Sequence, residues 1–247
     1  MARTKKTTGS TGSKSIKRRL PINASLMTKV EPLTPNQERL FKAWNEGKHM
    51  FIYGCAGTGK TFCALYNALY DCLKETPVYD NVYIVRSLVA TREIGFLPGD
   101  HEDKSSLYQI PYKNMVKYMF EMPGDNEFEV LYGQLKGQET IKFWSTSFLR
   151  GVTLDNAVVI IDEMQNLNFH ELDSIITRIG ENSRIIFCGD AMQTDLTKNN
   201  EKNGIHDFMR ILELMPDDFE MIEMGIDDIC RSGLVRSYLI AKNAAGF

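Results

Sequence analysis

Short apolar runs alternate along the chain with stretches whose apolar residues recur every three or four positions. Residues 50–53, 82–86, 158–161 and 185–188 are near-continuous apolar runs, the pattern of strands buried on both faces, and 219–224 reads as a fifth strand. Phe62, Leu65, Leu69 and Cys72 recur at helical spacing. Leu172, Ile175, Ile176 and Ile179 do the same, with Asn168 and Glu171 as a start signal and Gly180 as a stop. This alternation predicts an α/β fold, a parallel sheet with helices on both faces. Between Ile94 and Trp144 the pattern breaks into Gly, Pro and charged stretches. A helix near 115–120 and a hairpin pairing 129–132 with 141–145 are expected there. The segment around 94–146 is too long for a simple crossover, so it is expected to be a functional insertion in one domain covering 21–247.

Composition adds an asymmetry. The 247 residues carry 29 basic and 32 acidic groups, a net charge of −3. Seven of the basic residues (Arg3, Lys5, Lys6, Lys14, Lys17, Arg18 and Arg19) fall in residues 1–20, which hold no acid, so the remainder stands at −10. This arm, rich in Ser, Thr and Gly, is expected to be disordered and suggests a polyanionic partner. No apolar run reaches the roughly 18 residues of a membrane span, and the basic N-terminus lacks a secretory signal's apolar stretch. No membrane partner is expected. Five cysteines without a C-x-x-C pair fit neither a zinc site nor a disulfide framework, and a cytoplasmic, reducing setting is expected.

The chemistry begins at Gly54-Cys55-Ala56-Gly57-Thr58-Gly59-Lys60-Thr61, which fits G-x-x-x-x-G-K-[ST] between a strand and an amphipathic helix. Small residues let backbone N–H groups turn toward phosphate oxygens, Lys60 supplies a charge for the β- and γ-phosphates, and Thr61 offers a hydroxyl to Mg²⁺. The chain is therefore read as a P-loop NTPase with ATP and Mg²⁺ as cofactors. Val158 to Ile161 then lead into Asp162 and Glu163. A strand-end carboxylate beside the phosphate loop can hold the metal, and the next acid can activate water, so hydrolysis is expected in preference to binding alone. Asp190 and Gln193 end a further strand, where Gln193 can sense the γ-phosphate; a turn satisfied locally by Asp190 fits the spacing equally well.

The phosphate loop, VRSLVATREIGFLPGD at 85–100, SFLRGVTLDNAVVIIDEMQN at 147–166, TRIGENS at 177–183 and CGDAMQTDL at 188–196 together resemble the PhoH-like ATPases, in that family's order. The resemblance runs from about Leu33 to Leu239. It implies a single RecA-like core akin to half of a superfamily 1 helicase. It also implies a protein that hydrolyses ATP, acts on RNA or single-stranded DNA and assembles as a homo-oligomer, a hexameric ring in some members. By resemblance Lys60 and Thr61 take the phosphate and magnesium positions, Asp162 the metal, Glu163 the water and Gln193 the phosphate sensor. Gln37 in Thr34-Pro35-Asn36-Gln37 matches an adenine contact, although the same residues form a T-x-x-Q capping box with Pro at the first helical position. No second core and no nuclease domain is recognised, so the arginine that accelerates phosphoryl transfer by on the order of 10³ or more is expected from a neighbouring subunit. Arg231 and Arg178 are the candidates, and the family pattern favours Arg231. Arg86, Ser87, Thr91 and Arg92 form the expected nucleic-acid strip, extended by His101, Lys104 and Tyr108. His170 and His206 read as surface histidines. The rival function is an ATP-gated binding module without strand movement. A small-molecule kinase fits poorly, for want of a recognisable lid and because Glu163 is present.

Overall fold

A computed structural model describes residues 22–86, 101–149, 151–190 and 199–245, with side chains omitted at 101–107, 147 and 199–203. Six strands form one sheet: β1 (His49–Gly54), β2 (Asn81–Arg86), β3 (Ile141–Ser145), β4 (Ala157–Asp162), β5 (Arg184–Cys188) and β6 (Phe219–Met224). Their spatial order is β3-β2-β4-β5-β1-β6, and every pairing is parallel.

Alternate residues of each strand feed two apolar layers. Met50, Ile52, Ile84, Val158, Ile160, Ile186 and Ile222 face α1 (Pro35–Asn45), α2 (Lys60–Cys72), α3 (His101–Met119) and α4 (Asp125–Gly137). Phe51, Val85, Val159, Ile161, Ile185 and Phe187 face α5 (Phe169–Ile176) and α6 (Asn199–Leu212). Burial on both sides is why these strands read as unbroken apolar runs. A last helix, α7 (Gly233–Ala244), places no residue in the core.

The five expected strands are observed, each extended by at most one residue at either end. Around 94–146 the structure departs from expectation. Residues 129–132 belong to α4, and 141–145 form β3, which pairs parallel with β2 instead of closing a hairpin. The physical reason is visible in α4: Phe128, Leu131, Tyr132 and Leu135 are all buried, a helical stripe that includes two adjacent residues. A strand with one wet face cannot bury both Leu131 and Tyr132. The helix expected near 115–120 is the last part of the longer α3, which carries Pro111 in its interior. Helix α5 starts as expected, with a complete capping box between Asn168 and Glu171. It stops at Ile176, ahead of Gly180, whose N–H instead donates to the Leu154 carbonyl at 2.8 Å.

Candidate nucleotide site

Parallel pairing brings the carboxyl ends of the strands to one rim, where ligands of open α/β sheets sit. The register sets Arg86 opposite Asp162, Ile52 opposite Cys188 and Gly54 opposite Met224. The phosphate loop leaves β1 at this rim and runs into α2, whose first residue is Lys60. Gly54, Gly57 and Gly59 all have positive φ, +112°, +78° and +81°. Only glycine takes such a sequence of angles without strain.

Lys60 is folded over its own loop. Its Nζ donates to the carbonyls of Gly54 (2.8 Å) and Cys55 (2.7 Å) and approaches Thr58 Oγ1 at 3.4 Å. Burial draws its ammonium below the ordinary lysine range, opposed by nearby Asp190 and Asp162 among others. A phosphate entering the loop would supply the negative charge that this buried cation lacks.

Thr61 Oγ1 donates to Asp162 Oδ1 at 2.7 Å, joining two motifs 101 residues apart. A hydroxyl and a carboxylate are hard oxygen donors and suit Mg²⁺, which takes few protein ligands and completes its shell with phosphate and water. The other Asp162 oxygen, Oδ2, accepts from Tyr112 OH at 2.6 Å. Tyr112, on α3, is 2% exposed, and burial pushes its phenol well above the ordinary tyrosine range, so it stays a donor. Sequence pattern did not single out Tyr112. Its partner lies 50 residues away, and no local motif marks it.

Glu163 sits at φ +53°, ψ +43°, in the left-handed region that a non-glycine residue rarely adopts. Its carboxylate accepts from Gln165 Nε2 at 2.6 Å and pairs with Arg86 at 3.7 Å. Gln165 Oε1 in turn accepts from the Asp190 backbone N–H at 3.0 Å, linking the second acidic motif to the third strand end. Gly189 is required for that contact, since a Cβ there would lie 2.3 Å from Gln165 Oε1. Gln165 stands two residues beyond Glu163, and no spacing in the sequence marks it as the link between Glu163 and Asp190.

Gln37 is 4% exposed and lies beneath the phosphate loop. Its Nε2 donates to the Thr58 carbonyl at 2.9 Å and to Cys230 Sγ at 3.2 Å, while Oε1 accepts from Leu33 N–H at 2.8 Å. Thr34 caps α1 as expected by accepting from Gln37 N–H, but the return bond goes to Leu33, one residue before the cap. Gln37 thus ties the start of α1 to the loop and to the segment before Arg231. Asp228 strengthens the same tie by accepting from Asn36 Nδ2 and Gly225 N–H, each at 2.8 Å.

Arg231 lies against the phosphate loop. Its stem packs on Gly57 of its own chain, where a Cβ would meet Arg231 Cγ at 2.9 Å. It therefore stands beside its own phosphate loop. Arg178 lies just past α5, with its Nε buried and lacking a hydrogen-bond partner. Of the nucleic-acid strip, Arg86 ends β2 beside Glu163, and its guanidinium lies 5.8 Å from the centre of the Tyr108 ring. Gln193, Ser87, Thr91 and Arg92 lie outside the described residues, as does the basic arm. His101 and Lys104 fall at the start of α3, where only the backbone is described. His170 and His206 are exposed, as expected. Among the described residues no helix is long and apolar enough to cross a membrane.

Similarity to known proteins accords with this geometry. The family described as PhoH-like protein matches residues 29–242. The PhoH-like protein of Bacillus subtilis (strain 168) is 31% identical over 208 residues, covering 84% of this chain and 62% of that protein. The PhoH-like protein of Mycobacterium leprae (strain TN) is 30% identical over 206 residues, covering 83% of this chain and 56% of that one. The chain thus spans less than two thirds of the length of these relatives. Among solved structures, that of Bacteroides sp Pif1 in complex with ADP-AlF4 aligns with 87% of this chain and 46% of its own, at 17% identity and a TM-score of 0.40.

Proposed function

The chain belongs to the PhoH-like family, and from that premise we propose that it hydrolyses ATP and couples turnover to single-stranded nucleic acid. The observation that carries the reading is the 2.7 Å bond from Thr61 of the phosphate loop to Asp162, with Glu163 as the next residue. On this reading the loop's backbone N–H groups and the N-terminus of α2 hold the phosphates. Lys60 releases the Gly54 and Cys55 carbonyls and turns to the β- and γ-phosphate oxygens. Bound at Thr61 and Asp162, Mg²⁺ would neutralise phosphate charge. Glu163 orients a water for attack on the γ-phosphorus and takes its proton, and ADP and phosphate leave. Arg231, beside Gly57, adds positive charge on the solvent side, and Gln193 senses the γ-phosphate.

Arg86 is the proposed link to nucleic acid. A strand's phosphate that draws Arg86 away would leave Glu163 Oε1 free to take the water, while Oε2 stays held by Gln165. Assembly into a ring, hexameric in form, belongs to the same proposal, as does RNA as the preferred strand. Turnover measured with and without a single-stranded RNA such as poly(U) tests the reading. At least tenfold stimulation is expected. Slow turnover that ignores RNA would replace the motor with an ATP-gated binding module.

A further inference from the structure

Helix α3 packs against α2 and meets the acidic motif through Tyr112. Tyr108 and Tyr112 are four residues apart and so lie on one face of α3. Tyr112 OH donates to Asp162 Oδ2 at 2.6 Å, while Tyr108 carries on its ring the guanidinium that pairs with Glu163. The Tyr112 ring is buried in the layer beneath, with its centre 5.6 Å from that of Phe143 on β3, so its hydroxyl is aimed by packing. Asp162 is thereby held at both oxygens, by Thr61 from one side and Tyr112 from the other.

We propose that Tyr112 is the positioning residue for Asp162, fixing the plane of its carboxylate so that the oxygen shared with Thr61 faces the metal position. This rests on the reading of Thr61 and Asp162 as the magnesium-binding pair. The physical reason is rotational. A strand-end carboxylate held on one side only turns about its Cβ–Cγ bond, and a small octahedral cation tolerates little misorientation of its ligands. A second donor, locked in a packed core, removes that freedom. The arrangement also makes α3 a lever on the site, because displacement of its tyrosine face would disturb both acids together.

Tyr112→Phe removes the hydroxyl and keeps the ring. Its test is the Mg²⁺ dependence of nucleotide binding, read with a fluorescent ADP analogue in Mg²⁺ and in EDTA. The variant should match the wild type in EDTA and lose at least fivefold of the affinity gained from Mg²⁺. Steady-state ATPase should show kcat reduced about tenfold, with KM for ATP moved less than threefold once Mg²⁺ saturates. Tyr132→Phe removes a buried hydroxyl of the neighbouring helix α4 that has no hydrogen-bond partner among the described residues, and should bind Mg²⁺–nucleotide as the wild type does. An unchanged Mg²⁺ dependence in Tyr112→Phe, or an equal loss in both variants, would overturn the proposal. A wild-type protein whose nucleotide affinity ignores Mg²⁺ would instead overturn the reading of the Thr61–Asp162 pair.

Discussion

Gly54 closes β1 at φ +112°, and a methyl group there would lie 2.2 Å from the Met224 carbonyl oxygen. That carbonyl also accepts the Cys55 N–H at 2.8 Å, so the first turn of the phosphate loop is fixed against β6 by backbone alone. Gly54→Ala should therefore cost more than the roughly 1–3 kcal/mol of a strained backbone conformation, because the clash adds to the strain. A thermal melt should show the loss, and ATP affinity should fall at least tenfold; an unshifted melting temperature would contradict the argument. Residues of this kind were legible in the sequence because their chemistry is linear. Lys60, Thr61, Asp162 and Glu163 sit in runs whose spacing carries the role proposed for each. Tyr112 was not legible, since its bond to Asp162 depends on where α3 packs. Gln37 lay between the two cases. Its cap to Thr34 was readable, but its bonds to Thr58 and Cys230 arise from tertiary approach.

Helix α4 shows where local pattern misleads. Glu129-Val130-Leu131-Tyr132 looks like a strand over four residues, and β3, at the sheet edge, alternates like half of a hairpin. The longer window holds the correct signal, with Phe128, Leu131, Tyr132 and Leu135 at helical intervals. Leu131→Ala should destabilise the protein by about 2–5 kcal/mol, as large-to-small changes in packed cores do. Val130→Ala, at a position 55% exposed, should cost under about 0.5 kcal/mol, a loss that the small gain in helix propensity offsets. Urea unfolding of the two variants checks this, and equal losses would mean that the helical stripe is not what holds α4. The central strands were readable to within a residue because both their faces are buried, so no register or edge effect blurs the pattern. The elements between β2 and β4 were not, because a four-residue window cannot separate the apolar stripe of α4 from a strand and β3 pairs along one edge only.

Across the molecule, charge and architecture point the same way. The chain beyond residue 20 carries −10, so the proposed grip on nucleic acid would have to be local, and Arg86 stands at the rim where the strand ends converge. There its guanidinium is held by Glu163 and Tyr108. Lys60 is likewise engaged with its own loop. The groups proposed to do the chemistry are thus restrained in the structure, and the proposed stimulation by RNA requires substrate and strand to displace their partners. The most direct measurement of the central claim compares Glu163→Gln with the wild type in ATP binding and in turnover of the same preparation. The variant should bind ATP within threefold of the wild type and hydrolyse it at least a hundredfold more slowly. Turnover that survives the substitution would remove Glu163 from the reaction and contradict the account.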